Sequence, residues 1–248
     1  MPTAAVVVIG DEILTGKFRD ENGPYFIDRL RALGCDLVRV VTIRDVVEEI
    51  ADEVRRCAEA CDFVFTSGGV GPTHDDVSLQ GIAAAFDVPL HVHPELVAIL
   101  RRFDLPENPA TLRMATVPEG AKLVAHAGLS YPVVVVRNVW IFPGIPKLLR
   151  EKFEHVADHF AGDRMHVARV YTDERETAIA ERLTALANRH PAVAFGSYPR
   201  FGEGPYRVIV TLESRDPDAL EAAHTEARTI LSLVEIAPPK TPTDGVRH

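Results

Sequence analysis

The stretch Asp62-Phe-Val-Phe-Thr-Ser-Gly-Gly-Val-Gly-Pro-Thr-His-Asp-Asp-Val-Ser78 leaves the chain few ways to fold. Phe63, Val64 and Phe65 suit a short buried strand, and Ser67 to Pro72 cannot continue it, because three glycines and a proline favour turns over ladders. Val77, Leu79, Ile82, Ala83 and Phe86 follow at helical spacing, which puts Asp75 and Asp76 near a helix N-terminus. Strand, glycine turn and helix start make an anion site. Glycine lets a ligand approach the backbone, and the first N–H groups of a helix point outward without internal partners. Two aspartates beside a phosphate repel it unless a divalent cation lies between them, or they accept hydrogen bonds from ligand hydroxyls or amines. The plainer alternative is that both only cap the helix and complement its dipole. That explains one aspartate more readily than two behind such a glycine cluster.

Other phosphate and nucleophile motifs are excluded. No Gly-Lys-Ser/Thr follows, Gly68, Gly69 and Gly71 do not make G-x-G-x-x-G, and neither Ser67 nor Gly128-Leu-Ser-Tyr-Pro132 forms the G-x-S-x-G elbow of a serine hydrolase. With 248 residues, 46% of them hydrophobic, the chain can bury one full core and a small second one. Apolar runs at 4–9 and 132–136 are too short to span a bilayer and no signal-peptide pattern precedes them, so the cytoplasm and no membrane partner are expected. A net charge of −9 argues against a broad nucleic-acid footprint. Cys35, Cys57 and Cys61 make no C-x-x-C and read as reduced, partly buried thiols.

Residues 4–9 are a continuous apolar run, expected of a central parallel strand buried on both faces. Gly10-Asp11-Glu12 follows at its C-terminal end, where open α/β sheets collect ligand-binding groups, though a polar turn accounts for these residues equally well. Asn22-Gly-Pro24 is expected to cap a helix stopped by Gly34. Residues 37–43 read as a second strand, and Asp45 with Glu48 as a capping-box start to a helix through Ala60. Asp45 also lies at a strand end, where it would face the same crevice as Asp76. This alternation predicts right-handed crossovers and a parallel sheet. A short edge strand is expected at 89–93, helices at 94–103 and 108–115, and strands at 122–125, 133–136 and 139–142. Arg101, Arg102 and Arg113 read mostly as solvated surface charges, with room for one to reach a phosphate. Pro143-Gly-Ile-Pro146 then starts a helix to Phe160, and Gly144 offers a further backbone surface for a ligand.

The composition turns small and polar at 161–166, which sets the expected organisation: a first domain over 1–162, a small α+β domain over 163–236 and a disordered tail over 237–248. In the second domain, strand, helix, two strands joined through Gly202-Glu-Gly-Pro205, helix and a last short strand near 234–236 predict a ferredoxin-like module without a catalytic constellation.

Thr66-Ser-Gly-Gly-Val-Gly-Pro-Thr-His-Asp-Asp-Val-Ser78 closely resembles the signature of the molybdopterin-binding-type domain, which molybdopterin adenylyltransferases, the competence/damage-inducible protein A family and eukaryotic FAD synthases share. Ile9-Gly-Asp-Glu-Ile-Leu-Thr-Gly-Lys-Phe-Arg-Asp20 and Phe142-Pro-Gly-Ile-Pro146 resemble that family's first-strand and last-loop motifs, in family order. Ala125-His-Ala-Gly-Leu-Ser-Tyr-Pro132 stands where competence-family members carry Asn-x-x-Gly-Thr-Ala-Pro-Gly, so that motif's residues are not carried over and the chain looks more like the FAD-synthase-associated branch. The resemblance implies a three-layer α/β fold with a mostly parallel sheet, and a homo-oligomer. It implies phosphate or ligand binding by Gly10, Thr66, Ser67, Gly68, Gly69, Gly71, Pro72, Thr73 and Gly144. Asp11, Asp75 and Asp76 would hold a divalent metal (Mg, Mn or Co), and Asp76 and Asp45 would be catalytic.

Two functions follow from the resemblance. One is a metal-dependent pyrophosphatase that cleaves ADP-ribose, FAD or a related dinucleotide to AMP. The other is a binding protein for molybdopterin or an adenylylated pterin, which uses the same loop without catalysis. A dedicated adenylyltransferase fits less well, because the C-terminal module and Gly10-Asp11-Glu12 look like the competence branch. Neither that family's amidase nor a FAD-synthesising domain is expected within these residues.

Overall fold

The structure is a computed structural model that describes residues 1–106, 108–202 and 204–235. The expected tail at 237–248, Glu203 of the hairpin loop and the end of the expected last strand lie outside the described residues. The chain divides into two compact units, Met1–Asp163 and Arg164–His248.

The first unit is built on β1 (Thr3–Ile9), whose residues from Ala4 onward are at most 3% exposed. Alternation sends Ala4, Val6 and Val8 to one face and Ala5, Val7 and Ile9 to the other, so each face needs its own apolar layer. After the short α1 (Asp11–Leu14), α2 (Asn22–Ala32) covers the first face with Phe26 and Leu30. The strand β2 (Asp36–Ile43) and helix α3 (Val47–Ala60) come next, then β3 (Phe63–Ser67) and α4 (Ser78–Ala85); α3 and α4 cover the second face with Ile50, Val54 and Ile82. Phe65 of β3 joins Phe26 at a ring-centroid distance of 5.3 Å and Phe160 at 4.7 Å, the centre of an aromatic layer with Phe142 and Phe153.

The second half adds β4 (Leu90–Val92), α5 (Pro94–Arg102), α6 (Pro109–Met114) and β5 (Thr116–Pro118). The expected edge strand does not border the main sheet: β4 pairs antiparallel with β5 as a separate two-stranded ribbon. Then β6 (Lys122–Val124), β7 (Val133–Val136), β8 (Val139–Phe142) and α7 (Pro146–Val156) complete a six-stranded sheet of order β2-β1-β3-β8-β7-β6. Its first four strands in that order are parallel, and β7 runs antiparallel to both its neighbours, β8 and β6. All three cysteines are buried, and burial with the Glu53 carboxylate pushes the Cys57 thiol up to about 12, which makes it a poor nucleophile.

The second unit runs β9 (His166–Thr172), α8 (Glu176–Arg189), β10 (Ala194–Pro199), β11 (Val208–Ser214) and α9 (Pro217–Ile230). Its antiparallel sheet has the order β10-β11-β9, and a bridge from Leu233 to Thr172 lays the chain after α9 against the free side of β9. That is the ferredoxin-like strand order, with the fourth strand reduced to one bridge. Val170, Val210, Leu212, Ile179 and Leu186 form its separate core. No helix among the described residues is long and apolar enough to cross a membrane.

Trp140, the only tryptophan, packs edge-on against Phe160 at 4.7 Å and reports on the first unit. Phe65→Ala removes the middle of the aromatic layer and is expected to cost about 3–5 kcal/mol, read as a lower urea midpoint in Trp140 fluorescence. An unchanged midpoint would contradict the packing described.

Candidate functional site

Strand register gathers the site. Ile9 pairs with Ile43, Val8 with Ser67, and Ser67 with Phe142, so the four parallel strands end along one line. The Gly10 N–H donates to the Ile43 carbonyl at 3.1 Å and the Gly68 N–H to the Phe142 carbonyl at 3.2 Å, closing that edge. Gly10 and Asp11, Asp45, the loop from Gly68, and Gly144 therefore emerge side by side at the carboxyl ends of the strands, where open α/β sheets bind ligands.

The glycine loop is enforced by geometry. Gly68 has φ +106, and a Cβ there would lie 2.1 Å from the Ile9 carbonyl oxygen; Gly69 has φ +61, and its Cβ would meet the Ser78 hydroxyl at 2.3 Å. Ser78 in turn donates its hydroxyl to the Gly68 carbonyl and its N–H to that of Gly69, tying the loop to the start of α4. Gly71 leaves room for Asp76, whose Oδ2 accepts from the Thr73 N–H at 2.8 Å and from the Thr73 hydroxyl. Asp76 closes this turn, and neither it nor Asp75 caps α4, which begins at Ser78. Arg113 of α6 donates to the carbonyls of Pro72 and Thr73; it grips the loop from outside. Thr66 and Ser67 are buried strand residues beneath the loop, and the Thr66 hydroxyl has no partner among the described residues.

Two residues depart from their expected roles. Asp45 does not cap α3: it accepts from the Asp11 N–H at 2.8 Å instead, and its Oδ1 lies 3.3 Å from the position of a Cβ on Gly69. Asp20, not Asn22, serves the start of α2, accepting from the N–H groups of Asn22 and Gly23. Asn22 is thereby turned inward, 5% exposed, and donates to the Ser67 hydroxyl and the Gly144 carbonyl at 2.8 Å each, while its Oδ1 has no partner among the described residues. Sequence reasoning missed this residue. Its signal was an acidic residue two positions earlier, able to take over the capping.

Burial raises the Asp45 carboxyl above its usual range, the Asp11 N–H works against this, and the charges of Glu12, Asp11 and Asp75 add to it. The mouth of the crevice is thus acidic. Among the described residues no three His, Cys, Asp or Glu side chains converge as a ready metal-ligand set, so Asp11, Asp75 and Asp76 do not form a preassembled cage. Asp76 is turned toward Thr73. The remaining carboxylates suit an ion of the Mg²⁺ type, which takes one or two carboxylates and fills its shell with water and substrate phosphates.

Two cavities flank the loop. One, of about 340 Å³, is walled almost wholly by apolar groups, with Lys152 its one charged wall among the described residues; the other, of about 390 Å³, is lined by Leu90, Pro109 and Leu112 together with Gly71, Asp76, Gln80, Arg113 and Thr116. Val70 and Leu79 belong to both. Lys152 donates to the carbonyls of Tyr131 and Pro132, and burial pushes its ammonium down to about 8.

The fold and this crevice define a class. Residues 5–162 match the family described as probable molybdopterin binding domain, and residues 164–238 match the FAD synthase middle domain. The chain belongs to the molybdopterin-binding-domain family and carries that second domain behind it. A protein of Archaeoglobus fulgidus is 32% identical over 92% of this chain and 97% of its own. A probable FAD synthase of Caenorhabditis briggsae is 33% identical over 92% of this chain and 49% of its own, so this chain spans about half the length of that relative. A CinA-like protein of Myxococcus xanthus is 30% identical over 90% of this chain and 58% of its own. Among solved structures, a CinA protein of Thermoplasma acidophilum, described as of unknown function, superposes with a TM-score of 0.59 at 27% identity, over 64% of this chain and 99% of that one.

Asn22→Ala leaves the Ser67 hydroxyl and Gly144 carbonyl without their donor and is expected to cost about 1–3 kcal/mol, measured by urea unfolding. Lys152 makes a pH prediction. The unfolded chain holds its lysine proton up to 10.5, so between about 8 and 10.5 it binds more protons than the fold and stability rises with pH. Below 8 both states are charged and the gain vanishes. Unfolding midpoints of wild type and Lys152→Met, compared from about pH 7 to about pH 10, should show wild type gaining on the variant; parallel curves would refute the depressed ammonium.

Proposed function

We propose that the first unit hydrolyses the pyrophosphate of a dinucleotide such as ADP-ribose or FAD, releasing AMP. The observation that carries this is the Asp45 carboxylate, fixed by the Asp11 N–H with its second oxygen turned to Gly69. A base thus stands against a loop whose backbone suits phosphate.

In this reading the backbone of Gly68–Gly71 and the first turn of α4 receive one phosphate. Asp45 orients a water molecule and takes its proton as the water oxygen bonds to phosphorus and the bridging P–O bond breaks. Asp76 keeps the loop in shape through Thr73, and Asn22 sets Ser67 and Gly144 beneath the reacting group. A divalent cation (Mg, Mn or Co), bound with the substrate near Asp11 and Asp75, would neutralise charge on the departing phosphate. The names of the FAD synthase relatives support an enzyme that handles a dinucleotide.

A second reading, binding of molybdopterin or an adenylylated pterin without catalysis, draws support from the family description and from the lack of a preassembled metal cage among the described residues.

The test incubates the protein with ADP-ribose, FAD, NAD and ATP, with and without Mg²⁺, Mn²⁺ or Co²⁺, and follows AMP by chromatography. Metal-dependent AMP release is expected, with Asp45→Asn reducing kcat by about 10²–10⁴ and Asp76→Asn failing through a loosened loop. Absence of turnover with every substrate, together with tight pterin binding in the absence of metal, would replace hydrolysis by binding.

A further inference from the structure

Within the second unit the helices cover only one face of the sheet. Val170, Val210 and Leu212 turn inward to Ile179 and Leu186 of α8 and Ala223 of α9. Alternation sends the intervening residues to the opposite face. There the register sets Tyr198, Ile209 and Tyr171 in one row across β10, β11 and β9, which separates the two tyrosines by about 10 Å. Tyr198 is 57% exposed, and its ring lies over Gly196, where a Cβ would meet Tyr198 Cε2 and Oη at 2.8 Å. One face of this ring is therefore taken by backbone and the other is open. Tyr171 stands against Tyr206 at a ring-centroid distance of 5.0 Å, and the Arg200 guanidinium lies 5.2 Å from the centre of the Tyr206 ring.

Charge is sorted in the same way. On the helix side, Arg182 pairs with Glu174 and Arg189 with Glu226. On the sheet side, Arg169 alternates outward from the buried Val170, and the Arg200 N–H donates to the Arg207 carbonyl, which extends the outward register toward the turn. Arg228 of α9 joins Arg169 and Tyr171 around a cavity of about 290 Å³ on the free side of β9. None of these four arginines has a carboxylate partner among the described residues. Glu213 shares the face only at the opposite end of β11 from Arg207. Open ring faces with unpaired guanidinium groups beside them suit a guest made of planar bases on a phosphate chain. A duplex hides its base faces, so the guest has to be single-stranded. The net charge of −9 argues against a broad footprint, not against one face on which arginine is concentrated.

We propose that the uncovered sheet face of the second unit binds a single-stranded nucleic acid, with bases stacked on Tyr198 and against the Tyr171–Tyr206 pair and phosphates held by Arg169, Arg200 and Arg207. This face works independently of the crevice in the first unit.

The test titrates the full chain into fluorescein-labelled oligouridylate and oligothymidylate of about ten nucleotides, and into a duplex of the same length, and follows anisotropy. Both single strands should bind saturably and the duplex about tenfold more weakly. Excess AMP should leave the complexes in place, which separates this face from the glycine loop. Tyr198→Ala should weaken binding by about fivefold or more, whereas Tyr198→Phe, which keeps the ring, should retain it. The logarithm of affinity should fall against that of salt concentration with a slope of about −2 for three phosphates, and Arg169→Gln should make the slope shallower by about 0.7. Tighter binding of oligouridylate would point to RNA through its 2′-hydroxyls, and of oligothymidylate to DNA. No anisotropy change with either strand, equal binding of the duplex, or full affinity in Tyr198→Ala would each overturn the site. So would self-association of the free protein that Tyr198→Ala abolishes while neither strand binds.

Discussion

A strand buried on both faces can satisfy its backbone only within the plane of its sheet, so β1 has to be paired along both edges. β2 and β3 supply those pairs in parallel, and β8 extends the sheet beyond β3 in the same sense. Parallel pairing with these registers ends the four strands together, and that shared end creates the crevice. Gly68 must turn there because the Ile9 carbonyl leaves no space for a side chain, and Gly144 passes 3.3 Å from Gly68 where its own Cβ would be. The glycines answer a crowding that the sheet itself imposes.

The crevice then divides its polar work between backbone and carboxylates. Backbone and hydroxyl groups of the loop are tied to α4 through Ser78 and to α2 and the β8 turn through Asn22. Acidic side chains stand at the mouth, where Asp45 feels Glu12, Asp11 and Asp75. A polyanion alone would be repelled from such an edge, whereas a polyanion carrying a cation or presenting donors would be held on both sides.

Much of this was legible in the sequence because its cause is local. A run of β-branched residues without alternation marks a strand buried twice, and three glycines with a proline mark a turn wherever they occur. What local pattern hides is competition for the same side chain. Asp45 with Glu48 has capping-box spacing, yet the Asp11 N–H, thirty-four positions away, claims the carboxylate. Asp20 captures the N-terminal amides of α2, and this alone frees Asn22 to reach the site. The three-residue β5, ending in Pro118, carries too little pattern to announce a partner for β4. The apolar cavity was invisible for a different reason: its walls come from separate helices and strands, each apolar in a manner that suits ordinary core packing.

The end of α6 touches both halves of this arrangement. Arg113 holds the carbonyls of the glycine loop, and the next residue, Met114, walls the apolar cavity and accepts the Tyr131 hydroxyl. One short segment of backbone thus carries load from two directions. Were a ligand held in either place to shift this segment, thermodynamic linkage would make the influence mutual, each altering the affinity of the other by one common factor.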